Sequence, residues 1–68
     1  MARLLSSEEV ARILTQNGFA FVSQKGSHQK YRNAGGRVVI VPAGRKEIPR
    51  GTLGSIMRQS GLPRELFS

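Results

Sequence analysis

The stretch "FAFVSQKGSHQKYRNAGGRVVIVP", residues 19–42, decides the fold. Phe19 to Gln24 is aromatic and β-branched, a composition that suits a pleated, half-buried surface. Lys25-Gly26-Ser27 interrupts it, and the extended pattern resumes at "HQKYR", residues 28–32. "NAGG" then reads as a hairpin loop, because Asn33, Gly35 and Gly36 tolerate positive φ. The loop leads into "RVVIV", residues 37–41, with Pro42 as the stop. Three short strands joined by tight turns predict an antiparallel meander. Side chains alternate along a strand, so His28, Lys30 and Arg32 are expected on one face, with Gln29 and Tyr31 on the other. With Tyr31 packed beneath helices, the imidazole and two cations lie on the open face.

Helical patterns flank the meander. In "LLSSEEVARILTQNG", residues 4–18, Ser6 and Glu9 have the spacing of a capping box, and Leu5 is placed to staple onto Val10. Val10, Ile13 and Leu14 fall on one helical face, and Gly18 is positioned to leave the helix in a left-handed conformation. Capping and the helix dipole account for Glu8 and Glu9 without a catalytic role. After the loop "AGRKEIP", Pro49 suits the first turn of a second helix. Leu53, Ile56 and Met57 form its apolar stripe and Gly61 its C-terminal cap, while Pro63 forbids continuation. "RELFS", residues 64–68, reads as one further turn or as an end with Leu66 and Phe67 tucked under the domain. The expected fold is α+β, in the order α-β-β-β-α, with two helices covering one face of a three-stranded antiparallel sheet.

The chain has 68 residues, which bounds it to one domain, 1–68, with a small core. Eleven Lys and Arg against four Glu give a formal charge of +7, so the natural counterpart is a polyanion or an acidic protein. No cysteine is present, which removes disulfides and thiolate metal sites. Neither a signal-like nor a membrane-spanning apolar run is visible, and no segment sets a basic face against a Trp, Phe and Leu face, so the expected setting is cytoplasmic and away from membranes.

The single histidine, His28, sits among Lys25, Lys30 and Arg32. A Ser27-His28 dyad fails on geometry, since neighbours in an extended strand point to opposite faces. A metal nuclease fails on inventory, since the glutamates are capping or scattered and one histidine makes no zinc site. Metal-free acid–base work remains, because an imidazole exchanges protons near neutrality. RNA suits such a base, since the 2′-OH beside each phosphodiester is an internal nucleophile, and nearby cations stabilise the charge that develops on phosphorus. The acid for the leaving oxygen is His28 after proton uptake, Lys30 or water. The same residues also fit a turn histidine without a chemical role, beside a solvated cationic stripe. A second basic cluster, Arg45, Lys46 and Arg50 in "GRKEIPRGT", precedes the second helix and reads as phosphate-contacting or as an exposed loop; it lacks the glycines and Lys-Ser/Thr of a nucleotide loop.

From about Ser6 to Gly61 the chain resembles the HicA toxins, also called YcfA-like proteins: small mRNA interferases of toxin–antitoxin pairs. The resemblance is carried by "NGF", "QKGSHQKY", a Gly-containing hairpin, "VIVP" and "KEIPRGTLGSIMRQSGL" in that order. It implies a double-stranded-RNA-binding-domain-like fold and cleavage of RNA, here mRNA; from the residue inventory that cleavage is expected to be metal-independent, with no cofactor. It further implies that the histidine of the Gly-Ser-His motif, His28, is catalytic, and that a HicB-type antitoxin blocks the site. Lys25, Gly26, Ser27, Lys30, Arg32, Arg45, Lys46 and Arg50 are the expected RNA-binding residues, and no homo-oligomer is expected. The chain departs from many family members in having Ala43-Gly44 where another histidine follows the Val-Pro. Two other functions fit the charge: a non-catalytic double-stranded RNA-binding module, and an interaction module for an acidic protein. Against the first, the second helix has Arg50 and then no cation until Arg58.

Overall fold

A computed structural model describes residues 4–68. The elements follow the expected order: helix α1 (Ser7–Gln16), strands β1 (Phe19–Lys25), β2 (His28–Asn33) and β3 (Val38–Pro42), helix α2 (Arg50–Ser60), and a closing 3-10 turn, Arg64–Phe67. The strands form one antiparallel sheet in the order β1-β2-β3. No helix among the described residues is long and apolar enough to cross a membrane.

Local chemistry sets the boundaries. The capping box forms as the spacing predicts: Glu9 N–H donates to Ser6 Oγ at 3.1 Å, and Ser6 N–H donates to Glu9 Oε1 at 2.9 Å. Gly18 follows the C-cap Asn17 with φ +90°. At the other end of the chain Gly61 closes α2 at φ +70°, and its N–H returns to the Met57 carbonyl at 3.0 Å. Pro49 lies one residue outside its expected place. It is the N-cap with ψ 149°, so α2 begins at Arg50; the preset φ of proline serves the turn into the helix as well as a first helical position.

One core holds the layers together. Val10 and Leu14 from α1, Tyr31 from β2, Val39 and Val41 from β3, and Ile56 from α2 are all buried and packed in the same cluster. Side chains of this kind contribute roughly 1.5–3 kcal/mol each when fully buried, which a domain of this size needs against the entropy of ordering its chain. Of the two apolar residues at the C-terminus, Phe67 is buried at 4 % exposure, whereas Leu66 remains 39 % exposed because the 3-10 turn aims only one of them inward.

The two sheet edges are treated differently. β3 is closed by α2: the Ile40 N–H, which points away from β2, donates to Gln59 Oε1 at 2.9 Å. Arg37 adds a bond from Nη1 to the Gln59 carbonyl at 3.1 Å, placing a cation at the negative end of the helix. β1 is the free edge. A bulge between Phe21 and Ser23 shifts its register, a local twist of the kind that discourages edge-to-edge pairing, and residue pattern alone does not announce it. Phe21 is half exposed, resting edge-on against Tyr31 with ring centroids 5.8 Å apart.

Candidate active site

Lys25 and His28 face each other across a two-residue turn, Gly26-Ser27. Gly26 takes φ +59° while no non-glycine residue among those described has positive φ, the signature of a type II′ hairpin turn. Two ties hold this tip. The Ser27 carbonyl accepts from Ala43 N–H at 2.7 Å, fastening the turn to the end of β3. On the core side, Tyr31 Oη donates to Gln29 Oε1 at 3.3 Å, Gln29 Nε2 donates to Gln24 Oε1 at 3.2 Å, and Gln24 Nε2 donates to the Gly26 carbonyl at 2.9 Å. Burial raises the Tyr31 phenol above its ordinary value of 10.0, so it remains a donor in this chain.

The alternation along β2 is as the sequence predicts: Tyr31 is buried, and His28, Lys30 and Arg32 are exposed on the opposite face. No intramolecular hydrogen bond among the described residues engages the His28 ring, so both nitrogens are open to a ligand. The ring borders a half-open cavity of about 330 Å³. Its lining combines the apolar Ile40, Pro42 and Pro49 with the polar Arg45 and, from α2, Thr52, Ser55 and Gln59.

Arg45 reaches the cavity because its backbone is clamped to the start of α1. Ser7 N–H donates to the Arg45 carbonyl at 2.9 Å, Arg45 N–H donates to Ser7 Oγ at 2.9 Å, and Ser7 Oγ donates to the Pro42 carbonyl at 2.6 Å. Ser7 is buried, so these bonds compete little with water.

The sequence-predicted residues are therefore distributed as follows. His28 and Arg45 share the cavity. Lys25 pairs with His28, and Lys30 pairs with Ile40, so both flank it; Arg32, paired with Val38, lies farther along the same face. Gly26 and Ser27 build the turn, and Lys46 is exposed on the loop beside Arg45. Arg50 parts from its sequence neighbours and borders a second hollow of about 410 Å³ with Leu53, Met57, Arg64 and Phe67. Sequence reasoning misses Thr52, Ser55 and Gln59, although their i, i+3, i+7 spacing marks a polar stripe on one helical face.

Chemically, the arrangement offers one proton acceptor, a guanidinium within the same cavity and two ammonium groups on the adjoining surface. Among the described residues no three His, Cys, Asp or Glu side chains gather as a metal site would require. The surface is suited to an anionic ligand whose reaction involves a proton transfer.

Comparison with curated proteins finds no match. Comparison with family models matches residues 7–62, from the first residue of α1 to just beyond α2, to the HicA toxin of bacterial toxin–antitoxin systems. That span takes in the Gly-Ser-His turn, the sheet and the helix that closes its edge, and the chain belongs to the HicA toxin family.

Proposed function

We propose that this toxin is a metal-independent endoribonuclease, an mRNA interferase in which His28 serves as the base. The observation that carries the reading is the exposed His28 ring, free at both nitrogens, in one cavity with Arg45. In the proposed step a ring nitrogen takes the proton of a ribose 2′-OH, and the 2′-oxygen attacks the adjacent phosphorus. The bond from phosphorus to the 5′-oxygen breaks, and that oxygen takes a proton from His28 in its imidazolium form, from Lys30 or from water. The products are a 2′,3′-cyclic phosphate and a free 5′-hydroxyl. Arg45 and Lys30 stabilise the charge that builds on the phosphoryl oxygens, while Lys25, Arg32 and Lys46 hold the flanking backbone. Gly26 and Ser27 present backbone at the tip, where no bulky side chain obstructs a phosphate. Arg50 contacts RNA beyond the cavity, on the side of the second hollow.

The partner is a HicB-type antitoxin, an acidic protein that covers the cavity and so withholds His28 from RNA. A net charge of +7 favours both partners, and an antitoxin seated over the cavity would compete with RNA for that face. The test is incubation of purified, antitoxin-free protein with RNA in EDTA. The wild-type protein is expected to cleave, and His28→Ala to bind RNA without cleaving it. A folded wild-type protein that leaves RNA intact, or a His28→Ala protein that cuts at the wild-type rate, contradicts the reading.

A further inference from the structure

We infer that Thr52, Ser55 and Gln59 on α2 form a binding site for one unstacked RNA nucleotide beside the bond that is cut, so that α2 is a substrate-gripping wall as well as a structural one. The inference deepens the ribonuclease reading and rests on it for the identity of the ligand.

The amide of Gln59 has a fixed sense. Its Oε1 accepts from the Ile40 N–H, a group that only donates, so Nε2 is left with its two hydrogens and no partner among the described residues. Ser55 is biased the same way: its Oγ accepts from Arg58 Nη2 at 3.0 Å, which leaves the hydroxyl hydrogen to donate. The Thr52 hydroxyl makes no bond within the described residues. With Arg45 on the same cavity, this wall offers donors, and among the described residues no carboxylate borders it. Such a wall selects a ligand rich in acceptor oxygens and ring nitrogens, which describes a nucleotide. The rest of the lining, Ile40, Pro42 and Pro49, is apolar and offers side chains against which a base can lie.

The size of the cavity, taken with the stacking of duplex bases, favours a single-stranded ligand over a duplex. Small-molecule sites run from about 300 to 1,000 Å³. At about 330 Å³ the His28 cavity stands at the low end, with room for one nucleotide. A base inside a helix is stacked and paired, and entering the cavity requires it to leave the stack. The expected ligand is therefore single-stranded RNA with one splayed nucleotide.

Binding to single-stranded RNA and to a duplex of the same sequence is measured in a His28→Ala background, where RNA persists. The neutral pair Thr52→Val with Ser55→Ala is expected to weaken single-strand binding about tenfold and leave duplex binding unchanged, from the loss of two hydrogen bonds of ordinary strength. Gln59→Glu keeps the acceptor for Ile40 N–H and replaces the outward donor with an acceptor; it is expected to unfold at the same temperature and to lose at least as much single-strand affinity. Unchanged single-strand affinity in the neutral double variant, or an equal loss for the duplex, overturns the inference. Cleavage by the wild-type protein is scored separately. A protein that shows this binding pattern without cutting removes the nuclease reading and leaves the nucleotide site in place.

Discussion

Ser7 and Arg45 are joined backbone to backbone and backbone to side chain, each bond 2.9 Å long, across 38 residues of sequence. The Ser7 hydroxyl passes its own hydrogen to the Pro42 carbonyl, so one buried side chain fixes both the end of β3 and the loop that brings Arg45 to His28.

Ser7→Ala removes an acceptor for Arg45 N–H and a donor for the Pro42 carbonyl, and is expected to cost about 1–3 kcal/mol of stability. It is also expected to lower the maximal RNA cleavage rate more than it raises KM, because, of the bonds joining Arg45 to residue 7, only the backbone one from the residue 7 N–H to the Arg45 carbonyl then remains to hold the loop that carries the guanidinium. Ser6→Ala supplies the comparison: losing the helix cap costs about 1 kcal/mol but leaves Arg45 in place. Equal cleavage by the two variants under conditions where both are folded would show that Ser7 serves the fold alone.

Gly61→Ala is expected to destabilise the protein by about 1–2 kcal/mol, since alanine resists a left-handed conformation. The added methyl carbon would also stand 2.8 Å from Arg37 Cζ, displacing the guanidinium from the Gln59 carbonyl. Urea denaturation of Gly61→Ala in the wild-type and Arg37→Ala backgrounds separates the two causes: the penalty shrinks in the second background by the share that the contact contributes.

Tyr31 gives the fold an alkaline limit. Its phenol is held above 10.0 by burial, so the folded state keeps a proton that the unfolded chain releases more readily. The stability tied to this group is whole below about pH 10 and drains as pH rises through the folded-state value. The denaturation midpoint is expected to fall as pH rises above about 10, and to fall less steeply in Tyr31→Phe. Identical slopes in the two proteins would assign the alkaline loss to other groups.

How much of this is legible in the sequence depends on the range of the forces concerned. The capping box, the Gly26 turn and the Gly61 terminus are local, each set by residues within a few positions, and the alternation of β2 alone places His28 on the open face. Contacts across the chain are not legible. Nothing in the spacing of Ser7 and Arg45 announces their pairing, and the polar stripe of Thr52, Ser55 and Gln59 is visible as a period without saying what it faces. Arg45 and Arg50 read as one basic cluster, yet the entry into α2 turns the chain between them and sends them to different hollows.

The proposed mechanism depends on a ribose hydroxyl as the nucleophile. Its most direct test is an oligoribonucleotide that the wild-type protein cuts at one mapped position, compared with the same strand carrying a single 2′-deoxyribose immediately 5′ of that bond. Loss of cleavage at that bond alone, with a 2′,3′-cyclic phosphate left by the unmodified strand, is the predicted result. Continued cutting at the deoxyribose position, or a 5′-phosphate on the product, would contradict it.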